Sequence, residues 1–508
     1  MTVEHLDVLI VGAGVSGIDA AYHLTTACPA LSFALLEGRQ AIGGTWDLFR
    51  FPGIRSDSDM YTYGFPFRPW TGEKSIADGG SILQYVRQTA REFGIDRRVR
   101  LQHRMRRATW SSKDARWTVE VERAGEPIRL SCNFLLMCSG YYNYQTGHAP
   151  EFTGSDRFQG RIVHPQDWPG ELDYSGQRVV VIGSGATAVT MIPAMAEAAA
   201  HVTMLQRSPT YIVPWPDEDS IAKLLHKLLP VQAAGAAARW KNALLGSYLY
   251  WSARSRPEKS KERIRDMQRQ LLGADYDLDQ DFTPRYAPWD QRLCLAPNGD
   301  LFTSIRNGRA SIVTDTIETF TERGIKLASG QEIAADIVVT ATGLELLPLG
   351  GAQLVVDGVT INAADTITYK GVMFSDIPNF AQVMGYINAS WTLKADLASR
   401  YICRVLNHLR DHGLSYCVPK PTDPSLVRLP IVNFSSGYFQ RAADRLPKQG
   451  SRPPWSFNQS YWQDRKVLLR EPIDDGELQL VGAAATATLP SVRTDKLADA
   501  TSGRVGSA

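Results

Sequence analysis

Apolar and polar residues follow one another along the chain in two similar series. Each series has a short apolar run, an amphipathic stretch and a second apolar run. The short runs predict buried strands, and the longer stretch between them predicts a helix. The predicted elements are a strand over 7–11, a helix over 15–24 and a strand over 31–36, then a strand over 178–182, a helix over 186–199 and a strand over 201–205. Two such βαβ units predict an α/β protein with two Rossmann-like dinucleotide-binding domains.

Two further apolar runs predict where the chain passes between these domains. Residues 134–140 (FLLMCSG) and 337–343 (IVVTATG) each end in a small residue followed by glycine. We therefore expect the second domain, 141–342, to be inserted into the first domain, which then comprises 1–140 and 343–480.

A basic helical stretch interrupts the second domain. Residues 216–281 are rich in Ala, Leu and basic residues, which predicts a helical excursion. From Ile221 to Gln270 there are 11 Lys and Arg against 3 Asp and Glu, a net charge of 11 − 3 = +8. This stretch either rests on an anionic membrane surface or caps the second domain with its charges in water, and we favour the second. The aperiodic residues 481–508 predict a disordered tail.

Composition narrows the class of protein. The 508 residues are 44% hydrophobic and 21% charged, as in ordinary globular proteins. With 55 Lys and Arg against 53 Asp and Glu, the net charge of +2 argues against a nucleic-acid-binding protein. Six cysteines without a CxxC pair predict neither a disulfide scaffold nor a metal site. The sequence shows no signal peptide and no membrane span, so we expect a cytoplasmic protein.

The first βαβ unit carries a dinucleotide fingerprint. The loop has the pattern GxGxxG between strand and helix, in which glycine lets the backbone approach a pyrophosphate at the helix N-terminus. Its residues are Gly12, Ala13, Gly14, Val15, Ser16 and Gly17. Glu37 ends the next strand, 20 residues past Gly17, where a carboxylate accepts hydrogen bonds from ribose hydroxyls. We therefore predict that the first domain binds a nucleotide with a free ribose, such as FAD.

The second βαβ unit carries a variant of the fingerprint with alanine at its third position. Its residues are Gly183, Ser184, Gly185, Ala186, Thr187 and Ala188. The following strand ends in Arg207 and Ser208 instead of an acid. A guanidinium at this place pairs with a 2′-phosphate, whereas a carboxylate would repel it. We therefore predict that the second domain binds NADPH in preference to NADH.

Between the two units lies the segment FQGRIVHPQDWP. It places Phe158, Gly160, His164, Trp168 and Pro169 in the pattern FxGxxxHxxxWP. In this segment the chain resembles the Baeyer–Villiger monooxygenases, and the resemblance extends from the N-terminus to about Trp462. It implies an enzyme that uses FAD, NADPH and O2 to convert ketones to esters or lactones through a C4a-peroxyflavin. It also implies oxygenation of sulfur in thioethers or thioamides.

The resemblance also assigns site residues. It makes Arg292 the catalytic arginine and Asp57 the carboxylate that orients it. A fixed positive charge suits this chemistry because anionic oxygen develops during the reaction. The further residues expected at FAD are Gly44, Thr45, Trp46, Asp47, Leu48, Asp57 and Met105, and those expected at NADP are Arg55, Ser56, Asp57 and Val189. His164 is expected to serve domain movement and not proton transfer. Gln291 departs from the lysine usual before the catalytic arginine, which leaves Arg207 and Ser208 to select NADPH.

Three other functions compete with this interpretation. A flavin-containing S- or N-monooxygenase is disfavoured by Arg292 and by the Trp168-Pro169 ending of the signature. A pyridine-nucleotide disulfide reductase needs a redox cysteine pair, and the nearest pair, Cys132 and Cys138, lies in or beside a strand. The third is a non-catalytic redox-sensing or membrane-binding module that retains FAD. Residues 385–391 with Tyr141 and Tyr142 are weak candidates for lining a substrate pocket.

Overall fold

The computed structural model describes residues 3–482. Its helices are α1 (Val15–Ala27), α2 (Thr45–Leu48), α3 (Met60–Tyr63), α4 (Gly79–Glu92), α5 (Ala186–Met195), α6 (Ser220–Leu228), α7 (Val231–Ser255), α8 (Pro257–Leu272), α9 (Leu278–Phe282), α10 (Asp300–Arg306), α11 (Trp391–Asp411), α12 (Gly437–Ala442) and α13 (Tyr461–Arg470). The strands up to the middle of the chain are β1 (Glu4–Val11), β2 (Phe33–Glu37), β3 (Val99–Leu101), β4 (His103–Ser111), β5 (Arg116–Arg123), β6 (Glu126–Met137), β7 (Tyr142–Gly147), β8 (Arg161–Val163), β9 (Arg178–Ile182), β10 (His201–Gln206), β11 (Ile212–Trp215), β12 (Cys294–Pro297) and β13 (Ala310–Thr314). The later strands are β14 (Ile317–Phe320), β15 (Gly324–Leu327), β16 (Glu332–Ala334), β17 (Ile337–Thr340), β18 (Leu344–Leu346), β19 (Gln353–Val356), β20 (Val359–Ile361), β21 (Thr368–Tyr369), β22 (Met373–Phe374), β23 (Phe380–Gln382), β24 (Leu414–Pro419), β25 (Arg428–Pro430), β26 (Lys448–Gly450) and β27 (Leu478–Gly482).

The first sheet has the order β20-β19-β4-β5-β6-β1-β2-β3, with β23 beside the end of β6. Its strands β6, β1, β2 and β3 are parallel, and β1 is paired in register Val8↔Phe33 with β2. Parallel strands covered on both faces are apolar throughout, which explains why the run at β1 predicts a buried strand. The predicted strand, helix and strand of the first unit are confirmed as β1, α1 and β2.

The second sheet is fully parallel, in the order β13-β10-β9-β17-β8. All of its strands come from residues 161–340, whereas the first sheet has strands on both sides of this range. The predicted fold class, with two Rossmann-like domains and one inserted into the other, is therefore confirmed. The prediction placed the end of the helix at 199, but α5 ends at Met195. The chain turns there because the N–H groups of Ala198 and Ala199 both donate to the Met195 carbonyl.

The two connections between the sheets lie side by side. The strands β7 and β18 pair antiparallel, with Leu344 opposite Gly147. Each connection begins next to a glycine in the left-handed region, Gly140 with φ +67° and Gly343 with φ +108°. Such a φ is strained for other residues. A two-stranded ribbon next to Gly140 and Gly343 thus joins the two sheets.

The helical excursion packs on both domains, contrary to the expectation that it caps the second domain alone. Helix α8 contacts the second domain, where Gln268 donates to the Ile212 carbonyl over 2.8 Å. Helix α7 instead packs on the first domain through Arg239, which is 8% exposed and donates to the carbonyls of Thr62 (2.8 Å) and Gly64 (2.7 Å). A buried guanidinium needs such acceptors, and the apolar pattern that predicted the helices could not show which domain supplies them.

Helices α6 and α7 expose many large apolar side chains. The exposed residues are Ile221, Leu224, Leu228, Leu229, Val231, Trp240, Leu244, Leu245, Tyr248 and Trp251. They are ten of the sixteen exposed large apolar side chains of residues 3–482. We call this set the α6–α7 face. In α7, Trp240, Leu244, Tyr248 and Trp251 share one side of the helix because they follow the spacing i, i+4, i+8 and i+11.

The end of the described chain is a strand. The strand β27 pairs antiparallel with β24, so Val481 and Gly482, which we predicted as the start of a disordered tail, belong to a strand. The rest of the predicted tail, 483–508, lies outside the described residues. None of the helices in residues 3–482 is long and apolar enough to cross a membrane.

Candidate active site

The first phosphate-binding loop requires glycine at its close contacts. Gly12 has φ +111°, and a Cβ there would lie 2.5 Å from the Cys138 carbonyl oxygen. A Cβ on Gly17 would lie 1.9 Å from the Gly12 carbonyl oxygen. Helix α1 begins at this loop, and no side chain caps its first N–H groups. These free donors and the positive end of the helix dipole suit a pyrophosphate.

Glu37 lies at the end of β2, beside this loop. Its two carboxylate oxygens accept the backbone N–H groups of Ala13 and Arg39, both over 2.9 Å. Burial raises the pKa of Glu37, and the two N–H donors partly offset that effect. Glu37 lines the cavity, and each of its oxygens has a further lone pair that a ribose hydroxyl could use.

The GGTW segment packs directly on the phosphate loop. A Cβ on Gly44, which has φ +57°, would lie 3.0 Å from the Gly14 Cα. The indole N–H of Trp46 donates to the Tyr63 hydroxyl over 2.7 Å, and Thr45 bonds Tyr144 over 3.1 Å. The segment is thereby fixed as one wall of the cavity that faces the loop.

The second phosphate-binding loop leads into α5, whose first residues, Ala186 and Thr187, line the same cavity. A Cβ on Gly183, which has φ +130°, would lie 2.4 Å from the Ala341 carbonyl oxygen, while Gly185 has open space around it. Helix α5 also begins without a side-chain cap. Arg207 is exposed and forms no ion pair with any residue of 3–482, so its charge is available to an anion. The loop and the arginine thus fit a phosphorylated nucleotide.

Sixteen of the predicted site residues line one cavity of ≈ 550 Å³ between the two sheets. The predicted residues that line it are Gly12, Gly14, Val15, Ser16, Glu37, Gly44, Thr45, Trp46, Arg55, Ser56, Asp57, Met105, His164, Ala186, Thr187 and Arg292. The predicted residues that do not line it are Ala13, Gly17, Asp47, Leu48, Phe158, Gly160, Trp168, Pro169, Gly183, Ser184, Gly185, Ala188, Val189, Arg207 and Ser208. Several of these have a supporting role that the sequence could not specify. The Asp47 carboxylate, for example, accepts from Arg39 and Arg87, both over 2.7 Å.

Arg292 and Asp57 come together from distant parts of the chain. The Arg292 Nε lies 3.8 Å from Asp57 Oδ2, and the two side chains are 36% and 15% exposed. Burial raises the pKa of Asp57, an effect that Arg292 and Arg55 partly offset. Burial alone would lower the pKa of Arg292, but Asp57 and the neighbouring tyrosine oxygens raise it overall. Arg292 therefore stays protonated at any working pH.

Aromatic side chains surround the cavity next to Arg292. Tyr141 and Tyr142 pack edge to face with ring centroids 4.6 Å apart, and Tyr141 lies 5.1 Å from the Trp391 ring. Trp391 also donates to the Ser16 hydroxyl over 2.8 Å, so it ties this wall to the first phosphate loop. Tyr386 and Ala389 extend the wall. The weak sequence prediction for 385–391 thus falls at the cavity, whereas Tyr63 and Tyr144 carried no sequence signal.

His164 holds the connection between the sheets. Its Nδ1 accepts from the Gln166 N–H over 3.2 Å, which leaves Nε2–H to donate to the Gly343 carbonyl over 3.3 Å. Burial lowers the pKa of His164, so the ring is neutral. Gly160 is required nearby because a Cβ would lie 2.3 Å from the Asp336 carbonyl oxygen. Both ring nitrogens of His164 are therefore hydrogen-bonded to the backbone where the chain passes between the sheets. Neither nitrogen is free to accept a proton from a substrate.

Cys132 and Cys138 do not form a redox pair. All six are free thiols and buried. Cys132 and Cys138 lie six residues apart along β6 and its end, about 20 Å at the rise of an extended strand. Burial raises the pKa of both thiols far above the ordinary value. These observations argue against a disulfide reductase.

Two helices that begin at glycine loops, without a side-chain cap, reach one cavity. An acid ends the strand after the first helix, and an arginine that forms no ion pair within residues 3–482 follows the strand after the second. These features define a class of protein with two dinucleotide-binding domains. Family models agree with this architecture. Residues 56–222 match a flavin-binding monooxygenase-like family, and residues 10–71 match an NAD(P)-binding Rossmann-like domain.

Curated proteins narrow the class to a family. The chain is 53% identical to the FAD-containing monooxygenase EthA of Mycobacterium tuberculosis, a match over 94% of this chain and 98% of that protein. It is 45% identical to the probable FAD-binding monooxygenase AlmA of Acinetobacter baylyi, over 94% and 96%. The chain belongs to the family of FAD-containing monooxygenases. This confirms the enzyme class that the sequence signature predicts.

Solved structures share the fold. An oxidized steroid monooxygenase bound to NADP superposes with a TM-score of 0.77 at 21% identity and covers 94% of this chain and 100% of its own. An open form of cyclohexanone monooxygenase gives 0.71 at 19% identity, over 82% and 90%. The arrangement of the two sheets is therefore that of known monooxygenases.

Proposed function

We propose that the protein is an NADPH- and O2-dependent Baeyer–Villiger monooxygenase. It takes a ketone, O2, NADPH and a proton to an ester or lactone, water and NADP⁺. The observation that carries the proposal is the Arg292 guanidinium, placed beside Asp57 on the cavity that the starts of α1 and α5 both line. Bound FAD would supply the activation of O2, and bound NADPH the reducing equivalents.

The first loop and its neighbours fit FAD. The uncapped start of α1 would bind the pyrophosphate, and the Glu37 carboxylate would accept the ribose hydroxyls. Met105 and Trp46 both line the cavity. The close glycine contacts leave the space that a pyrophosphate needs.

The second loop fits NADPH. The uncapped start of α5 would bind the pyrophosphate, and the unpaired Arg207 would bind the 2′-phosphate. Arg55 is less free than the resemblance implies, because its Nη1 lies 2.5 Å from Asp300 Oδ2. Its ion pair fixes the loop that carries Asp57, so Arg55 would act by holding that loop.

Arg292 would stabilise charge on the substrate. When oxygen is transferred to a ketone, negative charge develops on the carbonyl oxygen, and a fixed cation lowers the free energy of that transition state. Asp57 would keep the guanidinium on the cavity wall. The rings of Tyr141, Tyr142 and Trp391 would exclude water and favour apolar ketones.

Sulfur compounds are a second substrate class for the same cavity. Oxygenation of a thioether or thioamide places no charge on a carbonyl oxygen, so it depends less on Arg292. The aromatic wall beside Arg292 would accept a polarizable sulfur as readily as a ketone. Both reactions would consume NADPH and O2.

Product analysis tests the proposal. The purified holoenzyme is supplied with NADPH, air and either 2-octanone or phenylacetone, and products are separated by gas chromatography. An ester from either ketone is expected. Formation of sulfoxide or N-oxide only, with both ketones unchanged, would favour a flavin-containing S- or N-monooxygenase instead.

We also propose a cytoplasmic enzyme that contacts the inner membrane peripherally through residues 221–270. The α6–α7 face supplies apolar side chains, and helices α6 and α7 carry basic residues but no Asp or Glu. Apolar side chains beside basic residues suit an anionic bilayer. Six free thiols suit a reducing compartment.

Sedimentation with vesicles tests the membrane contact. Vesicles that contain phosphatidylglycerol should carry the holoenzyme to the pellet, and phosphatidylcholine vesicles should carry less. Leu228→Gln should weaken binding because Leu228 is 70% exposed on the face, whereas Leu429→Gln, at 40% exposure on a distant strand, should not. Equal binding by both variants would contradict the assignment of the face.

A further inference from the structure

Helix α7 contacts the loop 287–292, which carries Arg292 and is called the catalytic loop. The Arg254 Nη1 of α7 lies 2.5 Å from Asp290 Oδ1, and the ring centroids of Tyr250 and Trp289 lie 5.3 Å apart, edge to face. Tyr250 and Arg254 are spaced i, i+4 and so lie on one side of the helix. The helix that supplies most of the α6–α7 face is therefore in direct contact with the catalytic loop.

This contact is exposed and weak. The Arg254 and Asp290 side chains are 42% and 38% exposed, and an ion pair in water contributes little to stability. Arg254 lies one turn beyond Trp251 of the α6–α7 face. An anionic lipid headgroup below that face would therefore compete with Asp290 for the Arg254 guanidinium.

The loop itself is under local strain. Trp289 has φ +71°, which is unfavourable for a bulky residue. Asp290 is the fixed point of the loop, because its Oδ2 accepts the Ala287 N–H over 3.0 Å and its carbonyl accepts the Ser435 N–H over 3.0 Å. Arg292, two residues further on, lies 3.8 Å from Asp57, which is too long for a hydrogen bond. The loop and the Asp57 carboxylate thus set the position of Arg292 together.

We propose that an anionic bilayer regulates the active site through Arg254. Phosphate headgroups take the Arg254 guanidinium from Asp290, which the Ser435 N–H still holds. The strained residues on either side of Asp290 relax about this fixed point, and Arg292 closes on Asp57. The inference rests on the proposed oxygenase function and on the proposed membrane contact. Arg254 acts as a positioning residue, since it touches neither substrate nor cofactor. Docking is expected to raise kcat for a water-soluble ketone several-fold.

The test measures two quantities on the holoenzyme. Sedimentation gives binding to phosphatidylglycerol vesicles, and gas chromatography gives ester formation from phenylacetone with and without those vesicles. The wild type should bind, and its kcat should rise several-fold on phosphatidylglycerol but not on phosphatidylcholine. Inorganic phosphate at the same phosphate concentration should not reproduce the rise, and if it does, a bilayer is not the regulator.

Arg254→Gln should have a raised kcat without vesicles and little further response to them, which simple structural damage would not produce. Arg265→Gln is the matched control, because Arg265 forms a similarly exposed ion pair with Asp279 (35% and 71% exposed) that does not involve the catalytic loop. It should respond as the wild type does. An Arg254→Gln variant with the wild-type response would overturn the proposal.

The two measurements distinguish regulation through Arg254 from the oxygenase function and the membrane contact on which it rests. Ester formation without vesicles tests the oxygenase function alone. If the wild type forms ester but does not sediment, both membrane proposals fail and the oxygenase proposal stands. If it sediments and kcat stays unchanged, only the coupling through Arg254 is wrong.

Discussion

Replacing Arg207 with alanine should remove most of the preference for NADPH over NADH. Arg207 is exposed, stands at the end of β10 and forms no ion pair within residues 3–482, so a 2′-phosphate would be its main partner. A hydrogen bond to a charged group contributes about 1.5–3 kcal/mol, and exposure to water favours the lower end of that range. Because about 1.4 kcal/mol corresponds to tenfold, the NADPH/NADH ratio of kcat/KM should fall about 10- to 30-fold.

Steady-state consumption of NADPH and NADH with a saturating ketone measures this ratio. The kcat/KM for NADH should stay within about twofold of the wild type, since NADH has no 2′-phosphate. Arg323→Ala is the matched control, because Arg323 is also an exposed arginine of the second domain but lies away from the phosphate loop. If Arg207→Ala keeps the wild-type ratio, Arg207 does not bind the 2′-phosphate.

The remaining predictions concern the first phosphate loop and the carboxylate beside the catalytic arginine. Gly17→Ala should yield a protein without bound FAD, seen as the loss of flavin absorbance, because its Cβ would overlap the Gly12 carbonyl oxygen at 1.9 Å. Gly246→Ala, in the open middle of α7, should keep the flavin and raise the free energy of unfolding by about 0.5–1 kcal/mol. Asp57 must be ionised to orient Arg292, and its pKa is raised by burial, so kcat should fall with decreasing pH from a higher pH than for an ordinary carboxyl group. In Asp57→Asn, kcat should be lower than in the wild type and should no longer fall as the pH decreases.

Local patterns predicted the parts of the fold that depend on local chemistry. The strand β9 has the predicted bounds, and α1 begins at the predicted Val15. Both could be predicted because an apolar run and a glycine loop determine the local backbone conformation. Helix α5 ends earlier than predicted because the Met195 carbonyl accepts two turn N–H groups, a choice that alanines on either side do not encode. The packing of α7 on the first domain depends on carbonyls near Thr62, which no periodicity in α7 can specify.

In the candidate site, too, the sequence predicted what depends on local spacing and missed what depends on the fold. The glycines and Glu37 could be predicted because a phosphate loop needs them at fixed spacing. The pairing of Arg292 with Asp57, 235 residues apart in the sequence, came from the family resemblance, since only the fold brings them together. Tyr63 and Tyr144, which bond the GGTW segment, carried no sequence signal, because buried aromatic residues occur throughout any core.

The most direct test of the central claim is ester formation by Arg292→Ala. The loss of one donor to a developing oxyanion costs about 10²–10³ in kcat. The variant should therefore retain its FAD and still oxygenate a thioether at a measurable rate, while ester formation from phenylacetone falls at least a hundredfold. If the flavin-loaded variant forms ester within tenfold of the wild-type rate, the positive charge of Arg292 does not drive the reaction.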